Sequence, residues 1–156
     1  MTLSRRQVLG GGLLFVGGAA LGLALRPGRS AVGSILGDRL GVLEAVAEVF
    51  LPEGEGARVA RAIDDFLVHA GDPVLVGELV LGLGVIEHLG GGLFARFSAR
   101  SLDERRAVFA AWSQSGLGLK RQLYQAMRRL TLFSFYADPV TWSHSGYDGT
   151  WVGRDP

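Results

Sequence analysis

The residue types that do chemistry are few in this sequence, and their spacing does not assemble a site. Ser143-His144-Ser145 sets two hydroxyls beside an imidazole, the groups of nucleophilic acyl transfer. A catalytic triad, however, is a spatial arrangement drawn from separate elements, and sequence neighbours do not make one. The remaining histidines, His69 and His88, share no metal-ligand spacing with His144. No cysteine is present, which excludes disulfides, thiolate zinc sites, iron–sulfur clusters and covalently attached c-type haem. The glycine runs Gly10-Gly11-Gly12 and Gly90-Gly91-Gly92 follow no strand pattern, so neither forms the strand–turn–helix cradle that binds a dinucleotide. Asp64-Asp65 reads as a charged helix face. Glu104-Arg105-Arg106 and Arg128-Arg129 read as solvated helix faces that could meet an acidic partner. His69 and His88 lie near helix ends, where the dipole favours them. The expectation is a chain with no catalytic, cofactor-binding or metal-ligating residue of its own.

One chemical signal is strong, and it lies at the start. Ser4-Arg5-Arg6-Gln7-Val8-Leu9 opens the chain, an uncharged stretch runs from Gln7 to Leu25, and Arg26-Pro27-Gly28-Arg29 follows. A basic segment before an apolar one is the form of an export signal. The arginine pair, with Ser4 before it and Leu9 after it, resembles the twin-arginine pattern, although Val8 stands where phenylalanine is usual. Six glycines between Gly10 and Gly22 dilute the apolar stretch, each costing a helix about 1 kcal/mol against alanine. Low hydropathy of this kind suits twin-arginine signals, and Arg26 disfavours the general secretory route. The stretch is still long enough to span a bilayer. Residues 1–31 are therefore expected to be a twin-arginine signal peptide or a signal anchor. Gly22-Leu23-Ala24 offers small residues for cleavage, without a clean Ala-x-Ala.

The body that this leader would carry is helical. Its charge is modest: four of the 16 basic residues belong to the leader, leaving 12 against 15 acidic ones, a net of about −3. No basic face for nucleic acid is expected. Apolar residues recur at helical spacing in Ile35–Leu51 (Ile35, Leu36, Leu40, Leu43, Val46, Ala47, Phe50), and Pro52 ends that run. Arg58–Ala70 places Val59, Ile63, Phe66 and Leu67 on one face. Asp72 is set to cap a helix with Pro73 in its first position. Val74–Leu89 is apolar almost all round, which predicts burial by neighbours. Ser101-Leu102-Asp103-Glu104 is a capping box for a helix to about Gln114 that buries Leu102, Val108, Phe109 and Trp112. Leu119–Tyr136 is the last long helix, with Leu123, Met127, Leu130 and Phe133 or Ser134 inward, and Asp138-Pro139 ends it. Strand alternation is nowhere sustained. The fold class expected is all-α: one bundle of about five helices over residues 32–138.

Residues 139–156 are aromatic and glycine-rich without periodicity, and are expected to form an extended tail. Trp142, Tyr147 and Trp151 either fold back on the bundle or anchor a partner, since aromatic side chains bury large areas with few rotors.

Leader, small cysteine-free body and tail coincide in one pattern. Leu51-Pro52 follows the first body helix, Ile63-Asp64 lies downstream, and the last helix runs into Tyr136-Ala137-Asp138-Pro139, Trp142 and Gly146-Tyr147-Asp148-Gly149. Together these resemble the gluconate 2-dehydrogenase subunit 3 family, the small gamma subunits of membrane-associated FAD-dependent sugar and alcohol dehydrogenases. Asp148 and Thr150 stand where that family commonly has prolines. The resemblance implies a non-catalytic accessory subunit in the periplasm or on the periplasmic face of the inner membrane. Its partner would be a large flavoprotein of the glucose–methanol–choline oxidoreductase group. FAD would be held by that partner, a c-type cytochrome subunit would commonly accept the electrons, and Ser4, Arg5, Arg6 and Leu9 would carry the complex to the twin-arginine translocase. Tyr136, Asp138, Pro139, Trp142, Gly146, Tyr147, Gly149 and Trp151 would contact the partner. A free-standing, membrane-anchored helical envelope protein with a structural role is the alternative from another class.

Overall fold

The computed structural model describes residues 34–91 and 95–146. Among these the chain is all-α, with five α-helices and no strand. The helices are α1 (Arg39–Phe50), α2 (Gly56–Ala70), α3 (Pro73–Leu89), α4 (Leu102–Ser113) and α5 (Gly118–Tyr136). A 3₁₀ turn, Phe97–Ala99, precedes α4, and a 3₁₀ helix, Pro139–Ser145, follows α5. No described helix is long and apolar enough to cross a membrane.

α1 is the hub, touching the other four helices and the first 3₁₀ turn. Its Leu43, Val46 and Ala47 are wholly buried, and its alanines let neighbours approach. α2 comes closest. A side chain at Gly56 would meet the Glu44 carbonyl oxygen at 3.0 Å and the Glu48 side chain still nearer, so this crossing requires glycine. Phe109 centres an aromatic cluster that ties α1, the 3₁₀ turn, α4 and α5. Its ring lies 5.3 Å from both Phe50 and Phe97, 5.7 Å from Trp112 and 6.1 Å from Tyr124. Edge-on pairs of this kind add to the burial of their area.

Helix starts follow the caps that the sequence offers. The Asp72 carboxylate accepts from Val74 N at 2.9 Å and Leu75 N at 3.3 Å, with Pro73 opening α3. The capping box of α4 is formed: Ser101 Oγ accepts from Glu104 N at 3.4 Å, and Ser101 N donates to Glu104 Oε2 at 2.9 Å. The Ser101 hydroxyl, then its backbone N–H, and more weakly the Arg100 charge, hold the Glu104 carboxyl below its ordinary range.

Several expectations are corrected. α1 begins at Arg39, not Ile35: Gly37 is left-handed at φ 55°, and Leu36 N donates to Asp64 Oδ1 at 3.0 Å, 28 residues away. That bond makes Asp64 a buried anchor rather than part of a charged face; only Asp65 is exposed. Arg105 is likewise buried, donating to the Ala45 carbonyl at 2.8 Å and pairing with Glu48 at 2.8 Å. α3 is covered only from Leu79 to Glu87, and Val74, Leu75 and Leu89 face solvent. Within that stretch Glu87 accepts from both the N–H and the hydroxyl of Ser98, at 3.0 and 2.7 Å, and so ties the first 3₁₀ turn to α3. Phe66 is 61% exposed, because α2 turns Val59, Ala60, Ile63 and Leu67 inward instead.

Candidate interaction surface

α5 presents its inner face through Leu123, Met127, Thr131 and Phe135, a strict four-residue spacing. That row replaces the expected inward Phe133 or Ser134. It turns Phe133 outward to 77% exposure and leaves Tyr136 at 44%. Thr131 fits the buried row because its hydroxyl donates to the Met127 carbonyl at 2.8 Å.

The chain then folds back, and over its described part the expected extended tail is instead a 3₁₀ helix, Pro139–Ser145, the remainder of 139–156 beyond Gly146 lying outside the described residues. Asp138 organises the turn. Its Oδ1 accepts from Val140 N at 3.0 Å, and its carbonyl accepts from Thr141 N at 3.0 Å and from the Thr141 hydroxyl at 2.8 Å. The buried Thr141 hydroxyl also donates to the Phe135 carbonyl at 2.6 Å. Trp142 Nε1 donates to the Tyr136 carbonyl at 2.9 Å.

A clamp fixes this turn to α2, which packs against α5. Arg58 of α2 pairs with Asp138 Oδ2 at 2.6 Å and with Glu55 at 2.6 Å. Its guanidinium sits 5.7 Å from the centre of the buried Phe135 ring, a cation–π arrangement. His144 stacks on the same ring, with centroids 5.6 Å apart. His144 thus serves packing in this turn. The result is a turn held at both ends that displays Val140 at 81% exposure and the exposed Pro139, following the exposed Phe133 and Tyr136 of α5.

The structure therefore brings Tyr136, Asp138, Pro139, Trp142 and Gly146 into one locale. Asp138 points into the clamp and Trp142 is half-buried. Gly146, left-handed at φ 69°, ends the 3₁₀ helix. Tyr147, Gly149 and Trp151 lie outside the described residues, as do Ser4, Arg5, Arg6 and Leu9 of the leader. Phe133 and Val140 belong to the surface but were not marked by the sequence. The signal for Phe133 was the four-residue row, which passes through 131 and 135 and so leaves 133 outside. Among the described residues no three acidic or histidine side chains converge as a metal site. Compared with family models, curated proteins and solved structures, the chain matches none.

Proposed function

We propose that this chain is a non-catalytic accessory subunit that binds a folded flavoprotein dehydrogenase of the glucose–methanol–choline group. On this reading it helps that partner mature and carries it through the twin-arginine translocase to the periplasm or the periplasmic face of the inner membrane. FAD belongs to the partner, and a c-type cytochrome is a further subunit that would accept its electrons. The observation that supports the reading is the exposure of Phe133 and Tyr136 at the end of α5 and of Val140 on the turn that follows, which the chain clamps internally through Arg58 and Asp138. Large apolar side chains fixed in one geometry bind with little ordering cost, which is the form of an anchor for a protein partner. A leader of the twin-arginine type, on a small chain whose sequence suggests no cofactor site of its own, supports reading the partner as the reason for folded export.

Co-expression with a flavoprotein dehydrogenase of that group, chosen from the genes beside this chain's own, tests the reading. With Arg5 and Arg6 both changed to lysine, flavin-dependent dehydrogenase activity is expected to stay in the cytoplasm. Equal periplasmic activity from the variant would overturn the escort role. A native chain that purifies as a flavin-free monomer would favour the free-standing envelope protein.

A further inference from the structure

The small net charge of the body conceals a segregation. Residues 38–104 carry twelve acidic side chains against five basic ones, whereas residues 105–137 carry six basic side chains and no acidic one. Part of that basic set is used internally. Arg105 pairs with Glu48, Arg106 lies 3.7 Å from Asp103, Lys120 sits over the Trp112 ring at 5.7 Å, and Arg121 donates to the Ser115 carbonyl. Arg128 and Arg129 remain. Both are exposed and, among the described residues, neither forms an ion pair. Arg129 shares the outward stripe of α5 with Phe133 and Tyr136, at four- and three-residue spacing. From Arg129 to Tyr136 the stripe runs about 10 Å along the axis.

We infer that the outward face of α5 docks on a protein surface in which carboxylates flank an apolar recess, Arg129 on the stripe and Arg128 at its flank meeting the carboxylates while Phe133, Tyr136 and Val140 enter the recess. Charge complementarity carries the argument: α5 sets these two exposed guanidinium groups in a stretch, residues 105–137, that holds no acidic residue. The composition points to protein rather than lipid: exposed arginine with Phe and Tyr is the mixture enriched in protein interfaces, where lysine is depleted. Arginine's planar fork also matches a carboxylate through two parallel hydrogen bonds, a geometry that a fluid headgroup layer does not reward. The inference rests on the proposed accessory role and names the chemistry of the partner's docking face.

The test uses the full chain co-expressed with the flavoprotein dehydrogenase of the preceding experiment, captured through the small chain and washed with rising sodium chloride while retained flavin absorbance is read. Wild type is expected to lose flavin steadily as salt rises. Arg128→Glu with Arg129→Glu should bind roughly tenfold more weakly at low salt and lose most of the salt dependence. Phe133→Ala should weaken binding with the salt dependence intact. The milder Arg128→Gln, Arg129→Gln pair, with circular dichroism on every variant, separates loss of docking from loss of fold. No flavin captured by wild type defeats the accessory role itself. Flavin captured equally by wild type and the glutamate pair at every salt concentration keeps that role and overturns the docking face. Arginine-dependent binding of the chain to phosphatidylglycerol vesicles, or arginine-dependent self-association without flavoprotein, would also overturn it, assigning the face to a membrane or to a second copy.

Discussion

The clamp between Arg58 and Asp138 makes a quantitative prediction, because its two contributions are separable by substitution. Asp138→Ala removes the carboxylate oxygen that accepts from Val140 N at 3.0 Å and the second oxygen that pairs with Arg58 at 2.6 Å. The first is a capping interaction worth about 1 kcal/mol. The second joins side chains that are 40% and 37% exposed, so solvent screens it and about 0.5 kcal/mol is the appropriate figure. Together these come to about 1.5 kcal/mol, roughly a tenfold rise in the opening of the Pro139–Ser145 turn. Asp138→Asn keeps an oxygen for Val140 and loses only the charge, so opening should rise about twofold. Native-state amide exchange at Thr141 reads this directly, since its N–H donates to the Asp138 carbonyl, which both variants retain. Exchange at Leu123 and Met127, in the middle of α5, should not move. Equal protection of Thr141 in the Ala and Asn variants would refute the capping contribution. Parallel loss at Leu123 would show that the turn opens only with the whole bundle, and the idea of a locally clamped display surface would fail.

Other outcomes follow from the same geometry. Phe133→Ser and Val140→Ser should each leave unfolding free energy within about 0.5 kcal/mol of wild type and still reduce co-purified flavin; a large loss of stability would place these side chains in a core. Arg105→Ala strands the Ala45 carbonyl and Glu48, and should cost about 2–3 kcal/mol in urea melts because Glu48 can still reach water; a cost below about 0.5 kcal/mol would return Arg105 to the solvated class. Glu104 has a folded pKa below its unfolded one, through the two Ser101 donors, so its contribution is present above the ordinary carboxylate range and is lost as pH falls through the folded value. Protection of the Ser101 amide should therefore drop on acidification in wild type and be insensitive to pH in Glu104→Gln; identical profiles would rule the linkage out.

What the sequence could show was whatever depends on near neighbours. The Ser101–Glu104 box and the Asp72-Pro73 start are both complete within three residues, and both stand as read. The existence of five helices follows from the three- and four-residue recurrence of apolar residues. What could not be read locally was which polar groups the bundle would enclose. Asp64 is buried by a backbone N–H 28 residues away, and Arg105 by a carbonyl 60 residues away. Burying a charge is costly unless it is paired and hydrogen-bonded, and the partners that make it tolerable come from other helices. The outward aromatics were hidden for the complementary reason. Phe66 and Phe133 are as apolar as their buried neighbours, and only the register of the actual crossing decides which of two adjacent apolar positions faces the core.

That ambiguity bears on function as well as on fold. A stripe that could have turned Phe133 inward turns Thr131 and Phe135 inward instead, and the hydroxyl of Thr131 is satisfied by its own helix. The exposed Phe133 is thus not a packing defect. It follows from a row that closes the core without it, and the Arg58–Asp138 clamp holds the turn on which Val140 is exposed. A bundle whose core is complete while large apolar side chains remain fixed outside it has surface left for another molecule to bury.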